Sequence, residues 1–255
     1  MFGSIYVVIM LLAALYGNPY FSVLMAILSF FALNEISKIA GNNNAQSLYL
    51  NPLLFSGIIV LIALFQGRDL GITEFVVALV IQWLCVAVLY RQLKSKNTIN
   101  NIAATLYLWL PLAGLAFWFT QYEKDNVEYV LFFLITIWLY DSMAYSVGKL
   151  IGKTPIFPIV SPKKTVEGTF GGSLVTLTIM FFLNKYWLQL EPNALLLAGV
   201  VILFATFGDF VESYMKRKIG IKDSGNLIPG HGGILDRIDS ILLAALPYLV
   251  IIILI

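Results

Sequence analysis

The chain has one cysteine, Cys85, and one histidine, His231, among 255 residues. That excludes a disulfide-built scaffold, and it excludes the usual zinc centres, which need several Cys or His ligands. Charge is also scarce: Asp, Glu, Lys and Arg make up 12%, against about a quarter in a soluble domain. Neither sign dominates, with 16 basic and 14 acidic residues, so the basic face that binds nucleic acid is missing. There is no low-complexity tract and no repeat of solenoid period, and glycine (19) and proline (9) are at ordinary levels. What is abundant is apolar surface: 60% of residues are hydrophobic and the mean hydropathy is +0.87. This composition predicts an all-α, polytopic integral membrane protein.

Apolar runs bounded by charge or by Pro/Gly/Asn clusters predict about nine transmembrane helices: 2–16, 20–36, 52–66, 74–90, 101–120, 127–147, 169–190, 193–215 and 234–254. Gly17-Asn18-Pro19 divides the first two, because one helix over 2–36 would be too long and would hold Pro19 in its middle. A cleaved leader is not expected: no Lys or Arg precedes the first apolar run, and further spans follow directly. Loops after even-numbered spans hold 12 of the 16 basic residues, and loops after odd-numbered spans hold only Arg68, Lys124 and Lys185. The positive-inside rule then places the even loops and the N-terminus in the cytoplasm, in a multi-pass protein of the cell (inner or plasma) membrane.

We read residues 1–255 as one membrane domain, with scaffold helices in 1–121 and the chemistry in 122–255. The first part is quiet. Gln82 reads as an interhelical hydrogen bonder, Cys85 as a small buried apolar residue, and Glu35 with Lys38 as a pair at a helix end. In the second part, Asp141, Asp209, Glu212, Asp236 and Asp239 lie within or at the edge of predicted spans. A charge near the bilayer centre costs about 2.5–3.5 kcal/mol or more, so five together call for a metal, a proton path or a polar substrate. Asp209, Glu212, Ser213 and Lys216 share one helical face, and Asp236, Asp239 and Ser240 repeat that spacing on the next helix. All-oxygen ligands without His or Cys suit a hard cation, Mg²⁺ before Zn²⁺.

The loops beside these acids are basic and glycine-rich. The stretch Gly148-Lys149-Leu150-Ile151-Gly152-Lys153-Thr154 invites a phosphate-loop reading, but its glycine spacing is one short of a Walker A and no strand is expected before it. Lysines with glycines and hydroxyls still hold phosphates as point charges and backbone donors. The stretch from Lys216 to Gly233 packs basic residues, His231 and several glycines into 18 positions leading into Asp236. Together these features point to phosphoryl or nucleotidyl transfer at a membrane surface.

Residues Ser213 to Asp239, with Lys216-Arg217, Lys222-Asp223, Gly225, Ile228-Pro229, His231-Gly232-Gly233, Asp236-Arg237 and Asp239 in place, resemble the signature of the phosphatidate cytidylyltransferases (CDP-diacylglycerol synthases). Two further pieces are similar to motifs of that family: Asp141 to Lys149, and Ser161-Pro162-Lys163-Lys164-Thr165-Val166-Glu167-Gly168 with Gly171-Gly172. Glu35, ending the second span, also falls where the family usually carries an acid, whereas Met143 departs from the small residue or Phe that is commoner there. The resemblance implies transfer of CMP from CTP to phosphatidic acid among membrane lipids, an all-helical homodimer, and Mg²⁺ with a second, monovalent cation such as K⁺. Asp209, Asp236 and Asp239 would be the metal ligands, joined in the catalytic set by Lys216 and His231. Substrate contacts would fall to Asp141, Lys149, Lys163, Lys164, Thr165, Glu167, Ser213, Arg217, Lys222, Asp223 and Arg237. His231 is open between acid–base work and orienting a phosphate or the glycine-rich loop. The alternatives are a CTP-dependent polyprenol or phytol kinase, and an ion-coupled transporter using intramembrane carboxylates. The CDP-alcohol phosphotransferase pattern is not supplied by Asp236-Arg237-Ile238-Asp239.

Overall fold

The computed structural model describes residues 2–39, 53–58, 71–92, 98–121, 127–190, 193–225 and 232–255. Its helices are α1 (Phe2–Tyr16), α2 (Tyr20–Ile39), α3 (described over 53–58), α4 (Ile72–Gln92), α5 (Thr98–Gln121), α6 (Val127–Ile151), α7 (Val166–Leu183), α8 (Ala194–Ile219) and α9 (Leu235–Leu254). Among the described residues, seven of these, α2 and α4 to α9, are long and apolar enough to cross a membrane. The chain is a helical membrane protein. The break expected at Gly17-Asn18-Pro19 separates α1 from α2, and Gly17 there has φ +78°. Most of the third expected span lies outside the described residues.

Packing sorts the helices into a centre and a rim. In α5 and α9, 67% of the apolar window is buried, against 22% in α4 and α7, whose other faces are left for lipid. The central helices meet through Tyr107, Leu108, Leu112, Ala116, Leu242, Leu246 and Leu249, all without measurable exposure. Gln82 of α4 is fully buried, and its Nε2 donates to the carbonyls of Leu242 (2.7 Å) and Tyr107 (3.3 Å), the interhelical bond its position predicts. Cys85 is buried as expected.

A small-residue seam joins α6 to α7. An added Cβ at Gly172 would collide with the Ala144 backbone, and one at Gly168 with the Ala144 carbonyl and Gly148. Small residues that let two backbones approach are how membrane helices pack without a hydrophobic drive between them.

Two features differ from the sequence expectation. First, β1 (Pro155–Phe157) and β2 (Ser161–Thr165) form an antiparallel hairpin pairing Pro155 with Thr165 and Phe157 with Ser161, in a stretch read as loop. Its strands are too short and lysine-rich to show a period-two pattern, and aromatic packing holds them instead. Phe157 packs on Phe210 of α8 (centroids 4.2 Å apart), and Tyr214 stacks on Tyr90 of α4 (4.7 Å) beneath the Lys218 ammonium. Second, α6 and α8 run four residues past their expected spans. Lys149 and Lys216-Arg217-Lys218 therefore stand in last helical turns rather than in loops. Hydropathy marks where the hydrocarbon ends, whereas cations at a C-terminal turn favour continuing the helix. Gly220, at φ +83°, closes α8, with its own N–H and that of Ile221 turned back to Arg217 and Lys216.

Candidate active site

The C-terminal ends of α6 and α8, the N-terminal ends of α7 and α9, and the hairpin come together at one end of the bundle. A cleft of about 490 Å³ opens there between α6, β2, α7 and α8. One wall is the α6 face bearing Asp141, Tyr145, Gly148 and Lys149, set together by the i, i+3/i+4 rule. The opposite wall is Ser161, Lys163, Lys164 and Thr165 of β2, and Asp209 of α8 lies at its edge. Thr165 serves twice: it lines the cleft, and its hydroxyl caps α7 by accepting from Gly168 N at 3.1 Å.

Lys164 pairs with Asp209, whose other oxygen accepts from Ser213 Oγ at 3.1 Å. Burial alone would lower the pKa of the Lys164 ammonium. The Asp209 carboxylate, helped by Asp141 and Asp239, outweighs burial and holds it above the ordinary lysine value. Lys164 thus stays charged at neutral pH and brings a fixed cation to the cleft wall.

A second ionic group lies between α8 and α9. Lys216 is buried, with Nζ 2.6 Å from Asp236 and 2.5 Å from Glu212. The Glu212 contact is an i, i+4 ion pair within α8, at a residue only 1% exposed. Asp236 is held on its other side by Ser224 N (2.9 Å), Ser224 Oγ (3.0 Å) and Gly233 N (2.7 Å). Glycine is required at 232, where φ is +82° and an added Cβ would strike the Asp236 carboxylate. Asp239 accepts from its own neighbour Ser240 N at 2.7 Å, and its backbone carbonyl packs against Gly208 of α8.

The structure therefore brings together Asp141, Lys149, Lys163, Lys164, Thr165, Asp209 and Ser213 at the cleft, and Lys216 with Asp236 beside it. Five expected residues stand apart from these. Glu167 accepts from Lys153 N (3.0 Å), Thr154 N (3.1 Å) and Thr154 Oγ1 (2.9 Å), so it ties down the entry to the hairpin and does not line the cleft. Arg217 donates to the carbonyls of Val160 (3.3 Å) and Ile221 (3.0 Å) and so braces the hairpin turn. Lys222 and Asp223 are exposed, next to the buried Ser224. Arg237 is half-buried on α9, in electrostatic range of Tyr6 on α1. His231 lies outside the described residues.

Glu35 is the residue whose surroundings the sequence reading misplaced. It is 6% exposed, and it accepts from Ser224 Oγ (2.8 Å), Ile234 N (3.0 Å) and Leu235 N (2.9 Å), where the spacing predicts a helix-end pair with Lys38. An acid ending an apolar helix was the available signal, but the partners, nearly 200 residues away, were not visible.

Among the described residues, no three acid, His or Cys side chains converge closely enough to outline a finished metal site. The donor chemistry nonetheless fits a hard cation. Asp141, Asp209 and Asp239 are in electrostatic range of one another and offer oxygen donors alone. Oxygen-only donors are what Mg²⁺ takes.

Comparison with known proteins agrees with this chemistry. A family model described as the cytidylyltransferase family matches residues 1–255. A phosphatidate cytidylyltransferase of Staphylococcus epidermidis (strain ATCC 35984) is 34% identical over 226 residues, covering 86% of this chain and 85% of its own. One from Staphylococcus haemolyticus (strain JCSC1435) is 35% identical over 221 residues, covering 84% and 82%. One from Staphylococcus aureus (strain COL) is 39% identical over 151 residues, covering 57% and 58%.

Proposed function

The chain belongs to the cytidylyltransferase family, and from that premise we propose that it transfers the cytidylyl group of CTP to phosphatidate, giving CDP-diacylglycerol and pyrophosphate. The observation that carries this reading is the cleft in which Lys149, Lys163 and Lys164 face Asp141 and Asp209 at the mouth of a membrane bundle. A nucleotide triphosphate needs such cations, and a lipid phosphate reaches such a mouth without leaving the bilayer.

In the reaction, an oxygen of the phosphatidate phosphate attacks the α-phosphorus of CTP, and the bond to the β-phosphate oxygen breaks. Its electron pair leaves with pyrophosphate. The attacking monoester is already largely ionised at neutral pH, its second pKa being near 6, so neither a protein nucleophile nor a strong base is required. What the protein supplies is position and charge. Lys164, pinned by Asp209, and Lys163 and Lys149 bind phosphate oxygens, while Thr165 and Ser161 orient them. Asp209, Asp236 and Asp239 would hold Mg²⁺, which supplies charge neutralisation on the triphosphate when bound; a monovalent ion beside the same carboxylates would complete the balance. His231 orients a phosphate or donates a proton to the leaving group. The cleft faces the cytoplasm, and the working form is a homodimer.

The test is purified protein in detergent with phosphatidate, Mg²⁺ and CTP labelled at either the α- or the γ-phosphate. The α-label should enter the lipid, with pyrophosphate formed in equal amount. Transfer of the γ-label would mean a kinase, and no labelled lipid at all would overturn the reading. Cysteine substitutions at Lys149 and Lys222 should react with an impermeant reagent only from the cytoplasmic side.

A further inference from the structure

The first turn of α9 has no cap of its own. Its N-cap position is Ile234, an apolar residue whose side chain cannot accept from the free N–H groups of the turn. The acceptor comes from another helix: Glu35 of α2 takes Ile234 N on one oxygen and Leu235 N on the other. The oxygen that takes Leu235 N also takes the hydroxyl of Ser224. Ser224 Oγ lies 2.8 Å from Glu35 and 3.0 Å from Asp236, and it has one proton to give, so the two carboxylates are joined through a single hydroxyl. Glycines make the approach possible: a Cβ at Gly225 or Gly233 would run into the Glu35 carboxylate. Asp236 in turn holds Lys216.

We propose that Glu35 is a positioning residue for the catalytic centre. From α2 it fixes Ser224 and the start of α9, and through them it sets the Asp236 carboxylate and its pairing with Lys216. This rests on the assignment of Asp236 to the substrate machinery made above. A glutamine at 35 keeps the size of the side chain but exchanges one acceptor oxygen for a donor. Either the Ile234 N–H or the Ser224–Leu235 pair of donors then faces an NH₂ group and loses its acceptor.

The experiment is a double-mutant cycle on the full chain in detergent, comparing Glu35→Gln, Asp236→Asn and the double variant for CTP affinity and for turnover with phosphatidate. Glu35→Gln should weaken CTP binding by about tenfold and lower kcat by about tenfold to a hundredfold, as loss of a group that orients a ligand-binding carboxylate does, with the KM for phosphatidate within about twofold. Because Glu35 acts through Asp236, the double variant should bind CTP no more than about twofold worse than Asp236→Asn alone. Gln82→Leu removes another buried polar link, one that does not line the cleft. It should lower the thermal midpoint while leaving CTP affinity within about twofold, which separates positioning from general loosening. An indifferent Glu35→Gln, or losses that multiply in the double variant, overturns the proposal. If Glu35→Gln does not fold, Ser224→Ala takes its place: a loss of about threefold that vanishes in the Asp236→Asn background supports the proposal, and one that persists overturns it. If the unsubstituted protein neither binds CTP nor turns over, the functional reading itself is removed and this inference with it. Normal turnover with an unaffected Glu35→Gln removes this inference alone.

Discussion

Gln82 of α4 and Glu212 of α8 are both buried to about the same depth of exposure, 0% and 1%, and they are stabilised in different ways. The Gln82 amide is neutral and spends its N–H groups on the carbonyls of two neighbouring helices. Glu212 is held by a charge instead, with Lys216 as its countercharge, shared with Asp236. The contrast recurs elsewhere in the two parts of the chain. Before residue 121, Thr105 closes onto the Asn101 carbonyl and Trp109 onto that of Phe55. From residue 127 onward, carboxylates and ammonium groups face one another between elements, β2 to α8 and α8 to α9. Neutral polar groups glue membrane helices for about 1 kcal/mol each. Opposed charges cost more to bury and are kept where a charged ligand can exchange with them.

The sharpest break of this comparison is removal of one negative charge from each ionic group. Asp209→Asn and Asp236→Asn should each reduce transfer of labelled cytidylyl to lipid by about 10²–10³-fold, the loss seen when a group that organises transition-state charge is removed. Both variants should elute from size exclusion as the parent does. Lys164→Met, which strips the cleft wall of its pinned cation, should cost about tenfold to a hundredfold in kcat/KM for CTP and less in kcat/KM for the lipid. Near-parental kinetics would show that Lys164 only neutralises Asp209. Gly172→Leu attacks the α6–α7 seam, where the new side chain meets the Ala144 backbone. It should destabilise by about 1–3 kcal/mol, read as a lowered midpoint in detergent, and should lower activity only by lowering the folded fraction. Smallest is Gln82→Leu, worth about 1 kcal/mol with turnover per folded molecule unchanged. A large activity loss there would erase the distinction between the two parts.

Much of this was visible in the sequence, for reasons that can be named. Apolar runs mark hydrocarbon, so the order of the helices and the break at Gly17-Asn18-Pro19 followed directly. The acids stood out because lipid makes charge rare, and the i, i+3/i+4 rule placed Asp209 with Ser213 as the structure has them. What the sequence concealed depended on partners far along the chain. Lys164 meets Asp209 across 45 residues, the hairpin at 155–165 is held by Phe210 rather than by strand propensity, and Arg217 gives two of its five N–H donors to the carbonyls of Val160 and Ile221. Helix ends were misplaced by four residues because hydropathy stops at the membrane edge, whereas hydrogen bonding does not.

The bond from Ile234 N to Glu35 spans 199 residues of chain, and that span sets an order in time. At about 5–20 residues per second, a ribosome makes Glu35 roughly 10–40 s before the residues whose N–H groups it receives. Through that interval the carboxylate is without the N–H groups of Ile234 and Leu235 and the hydroxyl of Ser224 that it later accepts. The pairing of Lys216 with Asp236 is therefore completed only once α9 joins α2 and α8.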